Sequence, residues 1–361
     1  MEYTVSEAVD DDLDEIAVLE AELITTGRYL SRRYLEWKYR QNPFIARPLL
    51  FAVRYGDEIV GVRGMYGTRW NLGAGREATV LPHADDLMIR EEHRNRGLFL
   101  LLHRAMVKAA RTQGFEAILS LSGVATTQEL SLACGYRALD ALDAVQRPAR
   151  SGTPLLRRGE GRLLRGLRRR GVFSPLFGWG ATVNGLCRHI ESTSANPRIE
   201  VSNRPDLSAM SALAMAPTPY SLGADRSEAF LRWRLANPDH IYRFLHWRDS
   251  ALRGFLVLSW DVMRPGRVTI ADVAAEDDDV FADLLGALAQ PGDVEYVMMS
   301  TTLSRTWMHI AETAGFSAGR HESTEQRRFL YFMVDSSAES IAPGDDLRSR
   351  WRVSELDLMT C

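Results

Sequence analysis

DLMIREEHRNRGLFLLLHRAMVKAARTQGF, Asp86 to Phe115, is the stretch on which the fold turns. The short apolar run Leu87-Met88-Ile89 breaks into a charged turn, Arg94-Asn95-Arg96-Gly97, and a long apolar-spaced helix follows. No Ser, Thr or Asp stands where a helix start usually finds its capping side chain. One reading is a plain strand-to-helix loop. The other is an anion grip, because uncapped N–H groups at a helix start point outward and carry the positive end of the helix dipole.

Upstream, EYTVSEAV alternates as a strand, and DDDLDEIAVLEAELI has helical spacing with acids in its first turn. SRRYLEWKYRQ predicts a helix capped by Ser31 and stopped at Asn42-Pro43. LLFAVRY and EIVGVRGMYGTRW read as two strands about the turn Gly56-Asp57, and EATVLPHADDLMI as a third. Downstream come a strand (EAILSLS), a helix (TTQELSLACGY) and one further strand (RALDALDAVQRP). The order β-α-α-β-β-β-α-β-α-β predicts a mixed sheet with helices on its faces.

The pattern stops near residue 149. Between Pro154 and Pro175 the chain holds seven arginines and repeated glycines. A basic linker is the preferred reading. The alternative is a strip lying on anionic lipid, with Leu155, Leu156, Leu163, Leu164 and Leu167 set between arginine clusters. Beyond it the first pattern returns. YLEWKYRQNP (Tyr34 to Pro43) matches FLRWRLANP (Phe230 to Pro238) apart from one residue of spacing, and ACGYRA (Ala133 to Ala138) matches TAGFSA (Thr313 to Ala318). Two matches in the same order predict a duplicated fold. The expected boundaries are a first domain at 1–148, a linker at 149–196, a second domain at 197–336 and a tail at 337–361.

Composition narrows the class. Of 361 residues, 45% are hydrophobic and 25% charged, as in a globular chain, and the formal net charge of −3 gives no whole-molecule attraction to nucleic acid. The start is acidic, without the basic and apolar regions of a signal peptide, and no apolar run reaches bilayer length. Cys134, Cys187 and Cys361 are scattered, forming neither a disulfide framework nor a metal cluster. The expectation is a cytoplasmic protein without a transmembrane segment, with no metal and no nucleic-acid partner; peripheral membrane contact is confined to residues 155–170. Oligomeric state stays open.

IREEHRNRGLF resembles the acyl-CoA turn of the GNAT superfamily of N-acyltransferases, with Ile89 at the strand end and Arg94, Arg96 and Gly97 at the Arg-Gly core. The element order of the first domain is that family's too. The second half is similar to it in fold only. The resemblance implies an α/β (α+β) chain of two tandem domains, each a mixed, mostly antiparallel sheet flanked by helices. It also implies a co-substrate, acetyl-CoA or another acyl-CoA. Leu87, Met88 and Ile89 would pair with the pantetheine amides. Arg94, Asn95, Arg96, Gly97, Leu98 and Phe99 would hold the pyrophosphate. Phe99 departs from the family's Gly/Ala there, Glu91 from its proline and His93 from its aromatic. The second-half equivalent, ADVAAEDDDVFADLL, has no Arg-x-x-Gly and carries four consecutive acids, Glu276 to Asp279, so one cofactor site is expected.

Acyl transfer to an amine needs a base, and Asp86, Asp85 and His83 are the local candidates, with Asp86 preferred. Simple alternation along the strand puts Asp85 and His83 on one face and Asp86 on the other. Ser131 stands where the family often has the tyrosine that protonates the leaving thiolate. Tyr136, Cys134, Trp37 and Trp233 read as packing residues, and His103 as facing solvent. The expected function is direct acyl transfer, most simply of acetyl, to a primary amine of a small molecule or amino sugar. The alternatives are a transferase using aminoacyl-tRNA, as in peptidoglycan-type enzymes, and an acyl-CoA sensor or scaffold without turnover.

Overall fold

The computed structural model describes residues 2–23, 31–72, 77–122, 124–141, 144–147, 187–192, 194, 196–216, 222–261, 267–288, 295–299, 303–318, 329–334 and 351–357. The arginine-rich segment and most of the tail lie outside them.

Strand β1 (Tyr3–Glu7) pairs antiparallel with β2 (Leu49–Tyr55), β2 with β3 (Glu58–Leu72), and β3 with β4 (Thr79–Ile89). β4 and β5 (Ala117–Ser120) run parallel. Helix α1 (Asp12–Leu23) and the short α2 (Arg32–Leu35) lie between β1 and β2. The long α3 (Leu98–Thr112) buries Leu98, Leu102, Met106 and Ala110 at four-residue spacing, in one cluster with Leu49, Phe51 and Val53 of β2. Fully withdrawing each Leu or Met stabilises the fold by about 1.5–3 kcal/mol. Helix α4 (Ala125–Ala133) leads into β6 (Tyr136–Ala141).

The expected single strand after α4 is two strands in different sheets. β6 stays in the first sheet, whereas β7 (Ala144–Arg147) pairs with β13 (Glu295–Met299) and β14 (Ser317–Ala318) of the second. In return, β15 (Phe329–Val334) sits between β5 and β6. The other described strands of the second sheet are β8 (Ile199–Ser202), β10 (His240–Arg248), β11 (Leu252–Asp261) and β12 (Arg267–Ala275). Its β12–β13 pair is again parallel, and α7 (Asp278–Ala287) packs against it. The two sheets thus repeat one pattern with one strand exchanged in each direction.

The compact units are therefore interleaved along the chain. One comprises 1–142, 217–239 and 320–352; the other comprises 143–216, 240–319 and 353–361. Expected boundaries at 148 and 197 treated each domain as continuous, and strand exchange is what breaks that continuity. The first unit also takes β9 (Leu222–Ala224), paired with β3, and helix α6 (Glu228–Arg234). Here the matched tryptophans meet. Trp37 and Trp233 stack at 5.3 Å, and each indole N–H donates to the other's backbone oxygen, at 2.7 and 2.9 Å.

Candidate acyl-transfer site

β4 does not run as a regular strand. Val62 of β3 pairs with Met88 and Gly64 with Asp85, so Arg63 alone faces Asp86 and Leu87. Asp86 takes φ +47, the left-handed region, which Asp tolerates better than most residues. This bulge overturns the simple alternation of side chains. Asp85 and Asp86 turn to the same cation, Lys38, whose Nζ lies 2.9 Å from Asp85 Oδ2 and 2.7 Å from Asp86 Oδ2.

A second irregularity delivers Lys38. After α2 the chain widens into a π-turn over Glu36–Arg40, where the Gln41 N–H donates to Glu36 O. Trp37, Lys38 and Tyr39 are buried in succession. Tyr39 donates its hydroxyl to Asp86 at 2.5 Å. The ring reaches that position because residue 64 is Gly: a Cβ there would fall 2.2 Å from the Tyr39 hydroxyl. The one residue by which YLEWKYRQNP exceeds FLRWRLANP is the extra residue of the wider turn.

Lys38 is fully buried, with the rings of Tyr34, Tyr39 and Tyr66 each within 5.5 Å of its Nζ. Burial opposes its charge, but Asp85 and Asp86 overcome this and hold its pKa well above the ordinary lysine value. Burial pushes Asp86 up against the pull of Lys38. Glu20 of α1 is fully buried, with neither oxygen hydrogen-bonded among the described residues. Burial, then the Asp86 charge, lifts it well above the usual carboxylate range. Of the three acids, Glu20 is the one for which burial and the Asp86 charge most favour the protonated form. The Asp85 side chain is 39% exposed and that of Asp86 8%, so Asp85 is the more accessible of the two.

Past the bulge, β4 has an open edge. β5 pairs with it only at His83 and Ala84, while β4 continues to Ile89 with β3 on its other side. Among the described residues no strand covers Asp85–Ile89 on the β5 side. The chain then passes through a 3₁₀ turn at Glu91–His93 to Asn95 at φ +60 and Gly97 at φ +75, the residue before α3. Among the described residues no side chain caps α3, and its first intrahelical bond runs from the Leu101 N–H to Gly97 O. The N–H groups of Leu98, Phe99 and Leu100 precede that bond and have no carbonyl behind them in the helix. Arg94 and Arg96 precede them in sequence, exposed, with Arg94 Nε donating to Ile89 O at 3.1 Å and Arg96 Nη2 to Glu92 O at 3.3 Å, and a Cβ on Gly97 would meet nothing within 4 Å. Open edge, two arginines and bare helix start follow one another along the chain.

Residues 15–136 match the model of the acetyltransferase (GNAT) family. This stretch belongs to the GNAT family. The match supports an acyltransferase with acyl-CoA as co-substrate. Solved structures agree in fold across most of the chain. A GCN5-related N-acetyltransferase from Anabaena variabilis ATCC 29413 has a TM-score of 0.59 at 10% identity, covering 92% of this chain and 73% of that one. One from Kribbella flavida has 0.56 at 13%, covering 95% and 75%. A conserved protein of unknown function from Enterococcus faecalis V583, called a probable N-acyltransferase, has 0.61 at 9%, covering 92% and 73%. No curated protein matches the sequence.

Within the GNAT domain the expected site residues separate. Leu87, Met88, Ile89, Arg94, Asn95, Arg96, Gly97, Leu98 and Phe99 form the continuous edge and turn just described. His83 is apart: it is 1% exposed, its Nε2 lies 2.6 Å from Thr68 Oγ1 and accepts from the Trp70 indole, and burial pulls its pKa to about 3. Ser131 is buried and its hydroxyl donates to Thr127 O of its own helix at 2.7 Å. His103 is 7% exposed rather than solvent-facing, because its ring stacks on Phe99 one helical turn before it. Cys134 is a partly exposed free thiol. Lys38, Tyr39 and Glu20 escaped the sequence reading; the extra residue before Asn42-Pro43 was the available signal. Among the described residues no His, Cys, Asp and Glu gather to hold a metal.

Proposed function

We propose that this protein is a cytoplasmic N-acyltransferase that moves an acyl group, most simply acetyl, from CoA directly to a primary amine of a small molecule or amino sugar. The observation that carries this reading is the open β4 edge running into the uncapped α3. A pantetheine arm is a chain of amides and pairs with such an edge as an added strand. Its pyrophosphate then meets the bare N–H groups at Gly97–Leu100, with Arg94 and Arg96 as charged donors.

Asp85 receives the proton of the incoming ammonium. The amine nitrogen attacks the thioester carbonyl, the C–N bond forms, the C–S bond breaks, and the second proton shed by the nitrogen passes through water to the departing CoA thiolate. An N–H of the open β4 edge stabilises the carbonyl oxygen as its charge grows. Asp86 stands behind Asp85, and Lys38 holds both carboxylates in register. Ser131 has no part in this scheme, since its proton is committed to Thr127, and His83 serves the strand rather than the substrate.

Calorimetric titration with acetyl-CoA, followed by thiol release across an amine library, tests the reading. Saturable binding with amine-dependent release is expected. Binding without release for any amine would replace the enzyme with a sensor.

A further inference from the structure

Arg63 occupies the centre of β3, across from the β4 bulge, and is 1% exposed. Its Nε and Nη1 have no hydrogen-bond partner among the described residues. Asp85 acts on it electrostatically, yet an Asp85 carboxylate oxygen sits 2.9 Å from Lys38. The Arg63 guanidinium lies 4.6 Å from the centre of the Phe99 ring, in the first turn of α3. Phe99 stacks on His103 at 5.8 Å, and His103 lies 5.9 Å from Tyr136. Among the described residues, His103 Nδ1 and the Tyr136 hydroxyl are also buried without a hydrogen-bond partner.

One neighbourhood therefore collects four unanswered polar atoms, two of them on a cation. Leaving a buried charge uncompensated costs several kcal/mol, and arginine does not escape by losing its proton. Burial and the Arg63 charge pull His103 down to about 4. Burial pushes Tyr136 up to about 12 although Arg63 opposes it. At neutral pH the group thus carries a single positive charge beside a neutral imidazole and a neutral phenol. A carboxylate answers it: one negative charge, two oxygens for the guanidinium fork and an acceptor for the phenol. A phosphate dianion would leave excess negative charge buried.

We infer that Arg63, with Tyr136 and His103, binds a carboxylate carried by a substrate. The inference rests on the acyl-transfer reading and narrows it. The carboxylate is either the far end of a dicarboxylic acyl group on CoA or the acid of an amino-acid acceptor. The roof formed by Phe99, on the helix that carries the donor turn, places it with the donor.

Thiol release is measured for the wild type and Arg63→Met in two series. One uses succinyl-CoA against butyryl-CoA; the other uses amino acids against the matching amines without the carboxylate. The wild type should favour the carboxylate-bearing member of one series by about 100-fold in kcat/KM, and Arg63→Met should lose that preference. The series that responds identifies the source. No preference in the wild type, or one that survives in Arg63→Met, overturns the inference. Melting temperature supplies a readout that does not depend on turnover. Millimolar succinate should raise it in the wild type and not in Arg63→Met, and ligand-free Arg63→Met should melt no lower than the wild type. A lower melting point with no succinate effect in either protein would make Arg63 a packing residue and overturn the site. Acetyl-CoA binding without carboxylate preference would sink this inference alone. A succinate effect through Arg63 with no CoA thioester bound would sink the acyl-transfer reading and keep the site.

Discussion

Two helix starts occupy corresponding places in the two sheets and are built with opposite electrostatics. Each follows a strand that carries a register shift against its antiparallel neighbour and runs parallel to the next strand. At α3 the preceding residue is Gly97, no side chain caps the helix, and Arg94 and Arg96 are close in sequence. At α7 the preceding residue is Asp277, whose carboxylate accepts from the Val280 N–H, with Asp278 and Asp279 in the first turn. The α7 dipole is answered from within the chain, whereas among the described residues no side chain answers that of α3. A shared backbone pattern fixes where a site can be; the side chain at the helix start settles whether it is open.

The sharpest way to break this contrast is at Gly97. Gly97→Glu puts a carboxylate where α3 should hold phosphate, and acetyl-CoA affinity measured by calorimetry is expected to fall by more than about 100-fold. A Cβ there meets open space, so the backbone at φ +75 is the main cost, about 1–2 kcal/mol. Gly97→Ala shares that cost without the charge and should keep most of the affinity.

Lys38→Met strikes the cluster behind the open edge. It strands the Asp85 and Asp86 carboxylates beside Glu20, and denaturant unfolding should show a loss of about 3–5 kcal/mol. Turnover should fall further than acetyl-CoA affinity, because the helix start is untouched.

Glu20 gives a pH signature with a defined sign. Its native pKa is raised, so the folded chain keeps a proton that the unfolded chain loses near 4.5. Its contribution is complete below that value and is lost as pH rises through the native pKa. Glu20→Gln should remove that fall, leaving the variant relatively more stable at neutral pH in parallel urea melts. His83 runs the other way. With its native pKa at about 3, stability is present above 6.5 and drains away as pH drops.

The smallest expected effect is at the second helix start. Asp277→Ala removes a cap and should cost about 1 kcal/mol with acetyl-CoA affinity unchanged. A changed affinity would mean that α7 also belongs to a donor site.

Much of the first sheet was legible because its signals are local. Ser31 does cap its helix, accepting from the Tyr34 N–H, and the uncapped start at Gly97 is as the residues foretold. What escaped reading depends on a single residue of phase or on distant pairing. The bulge at Asp86 and the π-turn at Glu36–Arg40 each shift periodicity by one, and together they bring Lys38 to two carboxylates that alternation would have parted. β7 and β15 are short strands whose own sequences do not say which sheet receives them. His103 looked outward because a polar residue on a long helix usually does; Phe99, one turn earlier, covers it.

Calorimetric titration of the wild type and Gly97→Glu with acetyl-CoA bears most directly on the helix-start contrast. One site per chain is expected in the wild type and none in the variant. Two sites per chain, no binding to the wild type, or equal affinity in the variant would contradict a single acyl-CoA cradle at the start of α3.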